Sequence, residues 1–168
     1  MSSLSRARYR ARQFREALHP TISAAERREA RETLGRDLAP LFASMQPRDQ
    51  RHCFDVYRSL RRHGGGDREV LQAALLHDAG KGRLAGAHIR LWHRVAYVLL
   101  AAATPGLLQR LARDSNAFAC LHNHPARGAA LAQAHRASPA VVELIARHEQ
   151  HDADGERARL LRAADDAG

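Results

Sequence analysis

The run Val70-Leu71-Gln72-Ala73-Ala74-Leu75-Leu76 ends on His77-Asp78, and the turn Gly80-Lys81-Gly82 follows at once. A helix this apolar is a buried one. An imidazole and a carboxylate at its end cost several kcal/mol of desolvation unless a cation or partner offsets them. Any fold open to this chain must therefore bring compensating groups to that corner, and a metal ion would be one. Gly80 and Gly82 supply the backbone freedom to leave the helix.

Lys81 adds to the signal. Of the 27 basic residues, all but Lys81 are arginine, so wherever positive charge alone is needed this chain uses Arg. A lone ammonium three residues past His-Asp points to a site wanting a compact, strongly hydrated charge, such as one beside a phosphoryl oxygen.

A chain of 168 residues forms one domain of ordinary size, with room for a real core. Aromatic residues make up only 5%, β-branched residues are few, and Ala and Leu abound, which predicts an all-α protein. Cys53 and Cys120 form neither a disulfide framework nor a Cys-x-x-Cys metal site, and no secretory leader is evident, so a reduced, cytoplasmic protein is expected.

The net charge of +9 is concentrated partly near the start, where Arg6, Arg8, Arg10, Arg12 and Arg15 surround Tyr9 and Phe14. Residues 1–22 read as a basic helix or arm and residues 23–168 as the single domain. Such an arm suits a weak contact with nucleic acid or an anionic membrane, although a solvated basic face explains it equally simply. The longest apolar stretch, residues 95–103, falls far short of the ~20 residues that span a bilayer, so no integral membrane segment is expected. With Arg90, Arg94, Arg110 and Arg113 around it, residues 91–111 remain open to amphipathic membrane association, and residues 95–108 to a role as a lid.

Start and stop signals divide the domain. Ser23-Ala24-Ala25-Glu26 reads as a capping box, with Gly35 as the stop. A second helix begins near Pro47, buries Cys53, Phe54, Val56, Tyr57 and Leu60, and ends at Gly64-Gly65-Gly66. Asp67 caps the third helix, the one ending in His77-Asp78, and the two form a hairpin. Ile89, Trp92, Ala96 and Leu99 or Leu100 recur at helical spacing up to Thr104-Pro105-Gly106, with Trp92 expected in the core. A shorter helix runs to Arg113, and Ser115 is a candidate cap for another. Pro125, Ser138-Pro139 and Asp154-Gly155 each open a further helix.

The chain contains 11 histidines, several at helix ends. His52, His77, Asp78, His124, His148 and Asp165 each adjoin an apolar helical stretch, so a bundle can gather them in one cleft. Imidazole and carboxylate without thiolate suit Mn, Fe, Co, Ni or Zn in an open site better than a closed structural zinc site. Local alternatives are His122 for His124, His151 for His148 and Asp166 for Asp165. His63, His88, His93 and His135 read as surface or supporting groups.

Taken together, His77-Asp78-x-Gly80-Lys81, His124-Pro125-x-x-Gly128, Arg147-His148-Glu149 and Leu160-Leu161-Arg162-Ala163-Ala164-Asp165 resemble the HD-domain metal-dependent phosphohydrolases, over roughly residues 51–166. The resemblance implies a compact HD-type helical bundle in which His52, His77, Asp78 and Asp165 bind one divalent ion. Asp78 would bridge to a second ion held by His124 and His148. It also favours His124 over His122, through the spacing to Gly128, and Asp165 over Asp166. Cyclic-dinucleotide hydrolases of the family carry Gly-Tyr-Pro where this chain has Asp154-Gly155-Glu156-Arg157, and its alarmone hydrolases carry an acidic pair where Gly80-Lys81-Gly82 stands. The resemblance therefore stops short of those substrates.

The expected activity is hydrolysis of a phosphoester of a nucleotide or another small phosphorylated compound by a metal-activated hydroxide. Asp78 serves as bridging ligand, Lys81 neutralises a substrate oxygen, and Arg127 adds a phosphate grip. Two other readings compete: a noncatalytic domain that senses metal or nucleotide, and a basic binder of nucleic acid or membrane surfaces.

Overall fold

Ser23 opens the first helix as a capping box does. Its hydroxyl accepts the Glu26 backbone N–H at 3.2 Å, and the Glu26 carboxylate accepts the Ser23 backbone N–H at 2.8 Å. These contacts come from a computed structural model that describes residues 21–86, 89–114, 116–150 and 155–167, and among those residues it is all-α, with no strand. The basic arm at residues 6–15, His88, the Ser115 cap, His151 and Asp154 lie outside the described residues.

Helix α1 (Ala24–Ser44) leaves helical geometry at Gly35 (φ 74°), where the sequence predicts its end. The helical path then resumes and carries Pro40 inside it, because Leu38, Leu41 and Phe42 continue the buried stripe. Helix α2 (Pro47–Arg62) buries the five apolar residues expected of it. Helix α3 (Arg68–Leu76) starts at Asp67, whose carboxylate accepts the Glu69 and Val70 backbone N–H groups at 3.0 and 3.1 Å. It packs against α2 as a pair. Two short 3-10 turns, Ala79–Lys81 and Arg83–Ala85, follow. The chain continues through α4 (Leu91–Ala103), α5 (Pro105–Asp114), α6 (Asn116–His122), α7 (His124–Ala134), α8 (Pro139–Arg147) and α9 (Glu156–Asp166).

The main core joins Leu41, Phe54, Tyr57, Leu75, Leu76, Val141, Ile145 and Leu161, drawn from α1, α2, α3, α8 and α9. A small satellite core of Ala85, Ile89, Cys120 and Leu121 lies under α6. Helix α4 buries none of its residues, and Trp92, expected in the core, is 56% exposed. Its apolar stripe has the helical period but is only grazed by its neighbours: Trp92 meets the Phe118 ring edge-on at 6.4 Å between centroids. Ile89, expected within that stripe, is buried just ahead of the helix.

One polar cluster fixes the direction of three helices. Glu69 accepts Ser138 Oγ at 2.6 Å and Arg157 Nη1 at 2.9 Å, and Arg157 also pairs with Asp67. The N-termini of α3, α8 and α9 are thus tied together. The three have similar lengths, at 9, 9 and 11 residues, so their C-termini arrive at a common corner.

Candidate metal centre

At that corner the chain places one ligand-type residue at the end of each of the three helices. His77 follows the last residue of α3, His148 follows the last residue of α8, and Asp165 lies in the last turn of α9. His124 joins them from the first residue of α7, and His52 from α2. Helix C-termini carry partial negative charge, so a corner built from them favours a cation.

The histidines are oriented in one way. His77 Nδ1 donates to the Ala74 carbonyl at 2.9 Å, His124 Nδ1 to Leu121 at 2.8 Å, and His148 Nδ1 to Ile145 at 2.8 Å. A carbonyl only accepts, so each Nδ1 carries a proton, which leaves Nε2 as the nitrogen that can present a lone pair. Those Nε2 atoms converge. The Nε2 atoms of His124 and His148 are 3.3 Å apart, as are those of His77 and His52. In the first pair two lone pairs face each other, and burial pushes His148 down to about 4, with His77 adding to the effect, so His148 does not relieve the contact as imidazolium at neutral pH. In the second pair His52 Nε2 donates to Asp165 Oδ1, and a cation could stand where that proton is, so the donor set fits a metal ion.

Asp78 joins the two halves. His52, His77 and Asp78 form one group and Asp78, His124 and His148 another, each with donor atoms within 4.8 Å of one another. Both groups could hold a metal ion. Oδ1 of Asp78 lies 3.8 Å from His77 Nε2, 3.4 Å from His124 Nε2 and 2.7 Å from Lys81 Nζ. Burial works to raise the Asp78 carboxyl, but Lys81 and the neighbouring imidazoles outweigh it and hold it well below the ordinary carboxylate range. Burial likewise works against Lys81, and Asp78 more than restores its charge. Asp165 Oδ1 is 2.8 Å from His52 Nε2 and 3.5 Å from His77 Nε2. That hydrogen bond raises His52 above the usual histidine value.

Among the alternatives, His122 is exposed and its Nδ1 meets Tyr97 Oη at 3.2 Å, outside the cluster that His124 enters. Lys81, expected to face substrate, is paired with Asp78. Arg127, expected to grip phosphate, donates through Nη2 to the Ala85 carbonyl and lies beside Leu84, Ala130 and Leu131.

The close approach of α7 to the His-Asp corner rests on two glycines. A Cβ on Gly80 would sit 2.1 Å from the His124 carbonyl oxygen and 2.8 Å from the Gly128 nitrogen. Gly128 faces Gly80 N and Ile145 Cγ2 in turn, each 3.2 Å from a Cβ placed there. The two backbones touch directly, and this contact sets the distance between Asp78 and His124.

Beside the ligands opens a cleft of about 360 Å³ lined by His148, Glu149, Arg162, Asp165 and Asp166. Glu149 reaches toward the imidazoles, with Oε1 at 3.6 Å from His124 Nε2. A larger concavity of about 510 Å³ lies at the Gly35 kink, lined by Arg27, Arg31 and Arg36 with Leu34 and Phe42, and holds no acid or imidazole.

The sequence reading missed Asp49, which is 2% exposed and pairs with Arg94 Nη2 at 2.7 Å. Burial raises its carboxyl despite Arg94. Its signal was the Asp49-x-x-His52 spacing, which puts both on one helix face; an acid in a first turn otherwise reads as dipole compensation. Comparison with protein-family models, curated proteins and solved structures gives no match for this chain.

Proposed function

We propose that this chain is a metal-dependent phosphohydrolase of the HD-domain type, cleaving a phosphoester of a nucleotide or another small phosphorylated compound. One observation carries the reading: a single buried carboxylate, Asp78, belongs to both ligand groups, so two ions held there would be neighbours. Divalent ions in such a site lower the pKa of water and balance charge on phosphoryl oxygens. The all-nitrogen-and-oxygen donor set suits Mn, Fe, Co, Ni or Zn.

The chain's own groups divide the remaining work. Asp78 has two oxygens and so can serve both ions, whereas each imidazole serves one. The Ala74, Leu121 and Ile145 carbonyls hold His77, His124 and His148 in the tautomer that ligation needs. Lys81 keeps Asp78 ionised and brings positive charge to the corner. The adjacent cleft is of a size suited to a small ligand. There Arg162 adds positive charge to the wall, and Glu149 offers a carboxylate that can take or return a proton at the open end.

The test uses the full chain. Metal analysis is expected to find one to two transition ions per molecule, with Mn-dependent turnover of generic phosphomonoesters or phosphodiesters. Asp78→Ala should lose metal and lower turnover by more than about 100-fold, beyond the usual cost of altering a group outside the ligand set. Full activity in that variant overturns the proposal, and tight nucleotide binding without turnover by the metal-loaded protein reassigns it as a sensor.

A further inference from the structure

Among the described residues, every large apolar side chain that is exposed falls in one segment: Leu84, Leu91, Trp92, Val95, Val98, Leu99 and Leu107. On α4 the five from Leu91 to Leu99 fall within about 120° of arc at 3.6 residues per turn, so they form one face. Val98 and Leu99 are 65% and 63% exposed, as open as surface charges usually are. The tip that follows, Ala101 through Gly106, is exposed as well and bears no charge.

The charge of the same segment is one-sided. Residues 79–113 contain no Asp or Glu, while Arg83, Arg90, Arg110 and Arg113 are exposed within it. Between Arg94 and Arg110 there is no charged residue at all. A greasy, uncharged tip bracketed by arginines matches the interfacial region of an anionic bilayer, with apolar side chains among the acyl ends and guanidinium groups at the phosphates. No described helix is long and apolar enough to cross a membrane, so the fit is to one leaflet.

We infer that the α4–α5 pair is a membrane-docking surface that inserts Trp92, Val95, Val98 and Leu99 into the headgroup boundary of an anionic leaflet. The chain contains one tryptophan, and it lies on this face, so its emission reads the docking event directly. Each basic residue close to an anionic leaflet contributes about fivefold in affinity, which makes the docking dependent on lipid charge and salt. This inference stands apart from the phosphohydrolase reading and needs no turnover measurement.

The test is titration of the full chain with vesicles of phosphatidylglycerol and phosphatidylcholine, and with phosphatidylcholine alone, following Trp92 emission and its quenching by brominated lipid. A blue shift and quenching are expected with the anionic vesicles only. Val98→Asp and Leu99→Asp, both at exposed positions, should weaken the response at least about tenfold while circular dichroism stays unchanged. Arg110→Glu with Arg113→Glu should weaken it too. Co-flotation without any change at Trp92 would assign binding to the N-terminal arginines and overturn the inference. Self-association of the wild type that Leu99→Asp abolishes, with no lipid response, would make the face an interface between copies and overturn it as well.

Discussion

The ligand corner and the α4–α5 pair depart from apolar-inside, polar-outside patterning in opposite directions. At the corner His77, Asp78, His124 and His148 are almost fully buried, while on α4 Trp92, Val98 and Leu99 face outward. Each departure costs free energy in the isolated chain. Cations could offset it at the corner, and the docking proposed above would offset it on α4. The two regions also differ in how they are held. The corner is fixed by helix ends, carbonyl hydrogen bonds and glycine contacts, whereas α4 is held by side-chain contacts: Tyr97 on the satellite core, Trp92 and His93 on Phe118, and the Arg94–Asp49 ion pair.

That difference can be broken first at Gly80. Gly80→Ala puts a methyl group into the His124 carbonyl, and neither backbone can yield cheaply. We expect a loss of about 3 kcal/mol, with thermal unfolding lowered by roughly 6–12 °C for a chain of this size and metal uptake lost in parallel. Unchanged melting and metal content would show that α7 does not need this contact.

A pair of substitutions, of comparable effect at its buried member, separates the regions directly. Leu76→Ala, at a fully buried position, is expected to cost about 2–5 kcal/mol, and Leu99→Ala, at 63% exposure, less than about 0.5 kcal/mol. Equal losses in urea denaturation would mean that α4 is covered in solution and would erase the contrast.

The smallest effect sits at the joint between them. Arg94→Ala leaves Asp49 buried without its guanidinium and should cost about 1–3 kcal/mol at neutral pH. The sign follows from the direction of the shift. A carboxyl whose folded value is raised by burial destabilises the fold when ionised, and losing Arg94 raises it further. The penalty should therefore grow as pH rises above the ordinary carboxylate range and vanish below it. A pH-independent penalty would assign the loss to packing of the arginine stem.

Local signals were the legible part of this fold. The Ser23–Glu26 box, the Asp67 cap and the Ser138 cap on Val141 all depend on residues within one turn of each other, and the structure has each of them. The corner was legible for a related reason, since ligand-type residues stood at the ends of apolar helices. What escaped depends on long-range contact. The helical path beyond Gly35 follows from burial of Leu38, Leu41 and Phe42, which a stop signal cannot weigh. Trp92 follows the period of a buried stripe, and periodicity cannot say whether a partner helix exists. Asp49 needed Arg94, far along the chain, and the hydrogen bond from Arg127 to the Ala85 carbonyl is comparably distant in sequence.

The contact of Gly80 with Gly128 has a consequence for how such a protein can diversify. The chain departs from that joint after Lys81 and returns to it at His124, so the clasp closes the base of the whole outward excursion, which Arg94–Asp49 and Gln46–Ile89 tie down further out. Exchanging the excursion for one of different length or greasiness would leave the clasp closed, so the surface could be rebuilt while the ligand corner keeps its geometry.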